Sequence, residues 1–236
     1  MLTDIERTGF AVVPKLLKYN VVEEMRNELN RLESMGSAVP LCYEPQFEGY
    51  GEKKRLRKVR RLIWNNEEFW SSRLLPILKL GLSLVPGKPE LILHAAFMKA
   101  ARIGGVVEYH QDQALWDCNY PGAISVWVAL TRSSVENGCI VGCPKSHLLG
   151  QLGHKSADRL YKWHPYVDLK SNQMEDIVTI ELNPGDAVFW HRFFVHGSGK
   201  NSSNTDRRGM ICVFADSSDK EYFAYDRYSF VIPNYQ

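Results

Sequence analysis

The stretch Glu108-Tyr109-His110-Gln111-Asp112-Gln113 places one histidine two residues before one aspartate. In an extended strand, residues i and i+2 point to the same side, so His110 and Asp112 are expected to share a face. An imidazole and a carboxylate on one face can bind a single metal ion, and a third ligand must then come from another segment. His196, inside Phe194-Val195-His196-Gly197-Ser198-Gly199, offers that ligand. Two histidines and one carboxylate form the facial set typical of non-haem Fe(II) sites.

Length and composition favour one ordinary globular domain covering residues 1–236. The chain has 44% hydrophobic and 24% charged residues, and its formal net charge is +2. A sizeable core and an all-β architecture are both compatible with this length. Because the net charge is close to neutral, the sequence predicts no bulk attraction to nucleic acid or to a membrane surface.

The chain start and the cysteines indicate a reducing compartment. Met1–Glu6 is acidic and lacks the apolar run of a signal peptide. The five cysteines are odd in number and have no framework spacing, which favours free thiols. We therefore expect a cytoplasmic protein.

The order of helical and strand patterns predicts the fold class. Residues 1–90 show mainly helical periodicity, whereas residues 91–216 show many short strands separated by turns. This pattern favours a mainly β protein, a jelly roll or double-stranded β-helix, braced by N-terminal α-helices. Residues 148–174 are polar, aromatic and irregular, so we interpret them as a substrate loop or lid.

A basic run occupies residues 53–61, where seven of nine side chains are lysine or arginine. Such a run can bind nucleic acid or a phosphorylated substrate. We favour the alternative of a solvated face that turns Leu56, Val59 and Leu62 inward.

Eight segments, in order along most of the chain, carry a resemblance to a known family. They are Thr8–Pro14, His110–Gln113, Val126–Leu130, Glu136–Cys139, Pro144–His147, Asn183–Asp186, His196–Asn201 and Arg207–Arg208. With these segments the chain resembles the phytanoyl-CoA dioxygenase family of Fe(II)- and 2-oxoglutarate-dependent oxygenases. One departure is Lys145, where the family usually has glycine in its Pro-Gly-Ser-His turn.

The resemblance implies a double-stranded β-helix in which His110, Asp112 and His196 hold Fe(II) and 2-oxoglutarate chelates the metal. It implies that Arg207 binds the distal carboxylate, with Arg208 as the competitor if the loop is one residue longer. A planar guanidinium suits this task because it binds a carboxylate through two parallel hydrogen bonds. Ser198, two residues after His196, can donate to the same carboxylate.

The resemblance also implies further residues around the site. For these residues the alternative to a functional role is ordinary packing in the core. Trp127 matches a family tryptophan near the cosubstrate, and His94 matches a family histidine on a strand beside the site. Met98 shares a strand face with His94, so we predict that His94, Met98 and Gln111 line the substrate pocket.

The implied reaction uses O2 and decarboxylates 2-oxoglutarate to succinate and CO2 while oxidising an unactivated C–H bond of a small molecule. Hydroxylation is the default outcome, and desaturation, cyclisation and epoxidation remain open, as does the oligomeric state. Two other functions compete. One is a non-catalytic jelly-roll binding module, and the other is a nucleic-acid demethylase that uses the same chemistry and is motivated by the basic run.

Overall fold

The computed structural model describes residues 1–116, 119–155, 165–172, 174 and 176–218. The α-helices are α1 (Leu2–Thr8), α2 (Tyr19–Ser34), α3 (Leu62–Asn65) and α4 (Glu67–Leu84). The first six strands are β1 (Phe10–Val13), β2 (Gln46–Glu48), β3 (Arg55–Arg60), β4 (Pro89–Lys99), β5 (Val107–His110) and β6 (Ile124–Ala129). The remaining strands are β7 (Ile140–Gly142), β8 (Val178–Ile180), β9 (Ala187–His191), β10 (His196–Ser198) and β11 (Arg207–Asp216).

The strands form two antiparallel sheets. The larger sheet has the order β1-β9-β6-β11-β4-β3-β2, and the smaller one has the order β5-β10-β7-β8. Non-consecutive strands are neighbours in both sheets, as expected of a jelly roll rather than of a simple meander. The predicted jelly-roll fold with bracing helices is therefore confirmed.

The helices cover the outer face of the larger sheet. Helix α2 is amphipathic and buries Val22, Met25, Leu29 and Leu32 at helical spacing. Together with α4 it packs on alternate residues of the sheet, among them Val126, Val128, Met210, Cys212 and Phe214. This layer between the helices and the larger sheet forms the main hydrophobic core.

The inner face of the larger sheet meets the smaller sheet and forms a second core. Trp127, Ala129, Val188 and Trp190 of the larger sheet cluster with Ile140, Ile180 and Phe194. Because side chains alternate along a strand, each central strand contributes one set of residues to the helices and the other to this interior. The interior is the side on which the predicted metal ligands lie.

The first 90 residues contribute more than helical support. Strands β1, β2 and β3 join the larger sheet, with β3 paired to β4. The basic run therefore lies mostly in a strand, and Leu56, Val59 and Leu62 are fully buried, as predicted. Four of its arginines pair with carboxylates: Arg55 with Glu33 and Asp206, Arg57 with Glu48, and Arg60 and Arg61 with Glu44.

The predicted lid is only partly described. Residues 148–155 and 165–172 are described and meet through a bridge between Lys155 and Tyr166, whereas 156–164 lie outside the described residues. The lid role stays a prediction. In the part of the chain that the structure covers, no helix is long and apolar enough to cross a membrane.

Candidate metal centre

The three predicted ligands converge at one end of the interior. His110 ends β5 and pairs directly with His196, the first residue of β10. Gln111 keeps an extended backbone (φ −104°, ψ 135°), so Asp112 lies on the same side as His110 even though a 3-10 turn begins there. Both histidine Nε2 atoms lie 3.7 Å from Asp112 Oδ1, and the three donor atoms lie within 4.8 Å of one another.

Backbone carbonyls orient both imidazoles. His110 Nδ1 lies 2.8 Å from the Glu108 carbonyl oxygen, and His196 Nδ1 lies 2.9 Å from the Phe194 carbonyl oxygen. A carbonyl only accepts, so each Nδ1 carries the proton and each Nε2 presents its lone pair to the centre. Burial lowers the pKa of His196 to about 4, which keeps this ring neutral and able to bind a metal.

Two donors hold the carboxylate of Asp112. Its Oδ2 accepts hydrogen bonds from Ser125 Oγ at 2.5 Å and from Trp190 Nε1 at 2.7 Å, which leaves Oδ1 facing the histidines. Burial by itself would raise the pKa of Asp112. The nearby histidines and Ser125 outweigh burial and hold this pKa below its ordinary value. Asp112 is therefore an ionised carboxylate with a fixed orientation, as a metal ligand requires.

The residues predicted for the cosubstrate lie on the interior side. Arg207 is 4% exposed, donates from Nη1 to the Gly138 carbonyl at 2.6 Å, and lies with its guanidinium 4.9 Å from the Trp127 ring. Ser198, at the end of β10, is also buried. Arg208 points to the opposite side, where it pairs with Glu33 of α2. Strand alternation thus separates the two arginines and puts Arg207 on the face of β11 that looks into the interior, beside Trp127.

The prediction that His94 and Met98 line the substrate pocket is wrong. Met98 belongs to the core beneath the helices, and His94 accepts a hydrogen bond from the Ile63 amide and packs edge-on against Trp70. Burial lowers the pKa of His94 to about 3, so its ring is a neutral core residue. The physical reason is strand alternation, because on β4 it is Phe97 and its same-face neighbours that point inward.

Gln111 is also not a pocket residue. Its side-chain amide donates to the carbonyls of Gly150 and Phe193 at 2.8 Å each, and its Oε1 accepts from the Leu152 amide. These bonds occupy the amide group, and the side chain is fully buried. Gln111 therefore connects residues 150–152 to the segment that carries His110 and Asp112.

Four interior residues were not predicted from the sequence: Lys58, Lys99, Ser125 and Trp190. Lys58 lies directly opposite Phe97 in the pairing of β3 with β4. Burial lowers the pKa of Lys58 to about 8, and the positive charges of Arg60 and Arg57 act in the same direction. Lys99 ends β4 and hydrogen-bonds to Ser198. The sequence does carry a signal for Ser125 and Trp190, because both lie in strands that are predicted to be buried. A buried hydroxyl and a buried indole N–H each require a hydrogen-bond partner.

Replacing Trp190 by phenylalanine is expected to weaken binding of a divalent metal about 10- to 100-fold, because Asp112 loses one of its two orienting donors. Isothermal calorimetry with Mn(II) measures this change. Trp70→Phe is the matched control, since Trp70 is equally buried but lies in α4 against His94. Equal metal affinities in the two variants would show that the indole of Trp190 contributes only packing.

An open cleft of about 540 Å³ adjoins the turn that carries Asp112. Its described lining consists of Gln113, Ala114, Trp116, Asn119, Gln151, Leu152, Gly153 and His154. His154 Nε2 accepts from the Gln111 amide, which connects this wall to the metal-bearing segment. The wall combines amide groups with one indole, so it offers hydrogen bonds and an apolar surface together.

The family of phytanoyl-CoA dioxygenases (PhyH) matches residues 5–209 of the chain. The peroxisomal phytanoyl-CoA dioxygenase of Bos taurus is 23% identical over 229 residues, which cover 90% of this chain and 67% of the relative. Phytanoyl-CoA dioxygenase 1 of Oryza sativa subsp. japonica is 25% identical over 198 residues, covering 79% and 69% of the two chains. This chain thus spans about two thirds of the length of these relatives.

Solved structures support the same fold. EvdO2 from Micromonospora carbonacea var. aurantiaca, in complex with 2-oxoglutarate, superposes with a TM-score of 0.72 at 21% identity, covering 91% of this chain and 89% of EvdO2. The epimerase SnoN in complex with Fe3+, alpha ketoglutarate and nogalamycin RO gives a TM-score of 0.72 at 22% identity, covering 99% and 91%. At these identities the likeness is one of fold.

The family match over most of the chain agrees with the buried His-Asp-His set and with the jelly roll that positions it. The chain belongs to the phytanoyl-CoA dioxygenase family and is an Fe(II)- and 2-oxoglutarate-dependent oxygenase.

Proposed function

We propose that this protein hydroxylates an unactivated C–H bond of a small molecule and converts 2-oxoglutarate and O2 to succinate and CO2. The observation that carries this proposal is the convergence of His110 Nε2, Asp112 Oδ1 and His196 Nε2 within 4.8 Å. The donors fit iron, since two neutral imidazoles and one carboxylate are the set that non-haem Fe(II) oxygenases use.

When bound, iron supplies the site for cosubstrate chelation and O2 activation. The chain's own residues fix the conditions for that chemistry. The carbonyls of Glu108 and Phe194 hold the imidazoles in the tautomer that can bind a metal. Ser125 and Trp190 hold the carboxylate of Asp112. These outer contacts preserve the donor geometry in a buried environment that excludes bulk water.

We assign Arg207 to the distal carboxylate of 2-oxoglutarate, with Ser198 and Trp127 beside it. Arg207 is buried on the same side as the ligands, and its guanidinium stacks on Trp127. A buried guanidinium without a carboxylate partner in the described chain favours an anionic ligand. Arg208, held by Glu33 on the helical side, does not compete for this role.

We place the small-molecule substrate in the cleft beside the metal-bearing turn. Trp116 can pack on an apolar surface, and Gln113, Asn119 and Gln151 can exchange hydrogen bonds with a polar one. Arg192 donates to the Gln113 and Asn119 side chains and adds positive charge next to this cleft. The lining therefore favours a neutral or anionic substrate with several polar groups.

Asp112→Gly is expected to weaken iron binding and abolish hydroxylation, because the carboxylate supplies one coordination position and one negative charge. The intact carboxylate also predicts oxygenated or desaturated products rather than chlorinated ones, since no position is left for chloride beside the two histidines. Mass spectrometry of products formed with and without chloride tests both statements. A chlorinated product from the unaltered chain, or full activity in Asp112→Gly, would contradict this role.

Succinate formation tests the proposed function directly. The purified protein with Fe(II), 2-oxoglutarate and O2 should release succinate and CO2, and a strong chelator should stop this turnover. Turnover that persists with the chelator would refute the assignment. A non-catalytic binding module would bind 2-oxoglutarate or another ligand without forming succinate, which distinguishes the first alternative.

The ion pairs of the basic run argue against the nucleic-acid demethylase alternative, because its four arginines already pair with carboxylates of this chain. A gel shift at low salt with single-stranded DNA and RNA would restore it. The cytoplasmic location stays a prediction. It is supported by Cys42, Cys139, Cys143 and Cys212, which are free thiols and so compatible with a reducing compartment.

A further inference from the structure

Lys99 is a buried lysine in the interior of the jelly roll. It ends β4, is 6% exposed, and donates from Nζ to Ser198 Oγ at 2.8 Å and to the Gly199 carbonyl at 2.5 Å. Both partners are neutral. Charging a buried amine without a counter-ion is costly, so a bound anion would stabilise the ammonium form of Lys99.

Arg207 brings a buried guanidinium to the same place. It faces Lys99 directly across the β4–β11 pair, so the two side chains share the interior face. Within the described ranges neither residue forms an ion pair, and Arg207 Nε is buried without a hydrogen-bond partner. Glu48 is the nearby carboxylate, but it pairs with Arg57 and accepts from the Ala100 amide. A positive charge on Lys99 is disfavoured by the nearby guanidinium of Arg207, and an anion bound between the two groups would offset that repulsion.

We propose that Lys99 and Arg207 together bind the distal carboxylate of 2-oxoglutarate, and that Lys99 sets the preference for a 2-oxoacid carrying this second carboxylate. The inference rests on the proposed function. Ser198 connects Lys99 to the strand that carries His196. It lies two residues after His196 on β10, and its hydroxyl accepts a hydrogen bond from Lys99. The cationic pair is thus connected to the metal ligands through one short strand.

The charge state of Lys99 gives the proposal a second readout. Burial and the neighbouring Arg207 lower the pKa of Lys99 to about 6; Arg57 acts in the same direction, and Glu48 and Cys139 oppose it. At about pH 7.5 the amine is mostly neutral before ligand binds. A bound carboxylate raises this pKa again, so the amine takes one proton from solution and becomes an ammonium ion.

Calorimetry on the Zn(II)-loaded protein tests the proposal without turnover. The two probes are 2-oxoglutarate and 2-oxopentanoate, which has a methyl group in place of the distal carboxylate. Lys99→Met should weaken 2-oxoglutarate binding about 10- to 100-fold and change 2-oxopentanoate binding little. Lys200→Met, the same change at an exposed neighbouring position, should alter neither affinity. Lys99→Arg should retain part of the preference.

Each outcome separates this inference from the function on which it rests. If the wild-type protein shows no preference for 2-oxoglutarate, the proposed function fails. If the wild type prefers 2-oxoglutarate and Lys99→Met keeps the full preference, Lys99 only ties β4 to β10 and the inference is overturned. Should Lys99→Met not fold, proton uptake by the wild type decides, measured in two buffers of different ionisation enthalpy. Uptake of about one proton per ligand supports the proposal, and no uptake overturns it.

Discussion

Replacing His196 by alanine is expected to abolish both iron binding and succinate formation, and His110→Ala should do the same. Each change removes one of three donors that meet within 4.8 Å and leaves the buried carboxylate of Asp112 with one imidazole partner. The loss of metal affinity should be larger than the loss expected for removing a residue that only orients a ligand, which is about 10- to 100-fold. Iron content after gel filtration and the succinate yield measure the two effects.

His191→Ala is the control for this prediction. His191 lies five residues earlier, accepts a hydrogen bond from the Phe193 amide, and is absent from the donor set. It should retain iron and turnover at close to the wild-type level. Retention of stoichiometric iron by His196→Ala would show that the metal is held elsewhere.

Arg207→Ala is expected to raise the KM for 2-oxoglutarate by at least about 100-fold. Each hydrogen bond to a charged group contributes about 1.5–3 kcal/mol, and a fork of two such bonds is lost. The maximal rate at saturating cosubstrate should change less, because the proposed contact of Arg207 is with an end of the cosubstrate that does not react. Initial rates over a range of 2-oxoglutarate concentrations separate the two parameters.

Arg208→Ala provides the contrast, since it removes the same charge from the other side of the same strand. Its side chain pairs with Glu33 on the helical face, so its loss should lower the free energy of unfolding and leave the KM for 2-oxoglutarate near the wild-type value. A larger KM effect in Arg208→Ala than in Arg207→Ala would reverse the assignment of the two arginines.

The three candidate metal ligands can be predicted because their chemistry and their spacing agree. His110 and Asp112 lie two residues apart across an extended Gln111, so strand geometry alone puts them on one face. His196 then joins them through a direct pairing of β10 with β5. That pairing is a long-range contact, and the family resemblance rather than local periodicity indicated it.

The errors on β4 have a different cause. Residues Pro89–Lys99 are buried on both faces for most of their length, so no polar alternation marks the side that faces the interior. His94 stands in this run as a polar residue and was predicted to be functional, yet Trp70 and Ile63 enclose it. Lys99, at the end of the same strand, carries no sequence signal of its burial, because a lysine at a strand end usually extends into solvent.

Gln111 shows a further limit of sequence reasoning. Its position between two ligands predicted a pocket residue, whereas its amide connects loop carbonyls that are distant in sequence. Ser125 and Trp190 likewise acquire their role only when two strands bring them to Asp112. Contacts of this kind depend on the register of the sheets, which local patterns do not specify.

The most direct test of the central claim is an anaerobic titration of Fe(II) and 2-oxoglutarate into the metal-free protein, followed by visible absorption. A cosubstrate chelated to iron in this site predicts a weak charge-transfer band that saturates at one Fe(II) and one 2-oxoglutarate per chain and is absent from His196→Ala. A wild-type protein that develops no such band, or an equal band in His196→Ala, would contradict the assignment of His110, Asp112 and His196 as the iron centre.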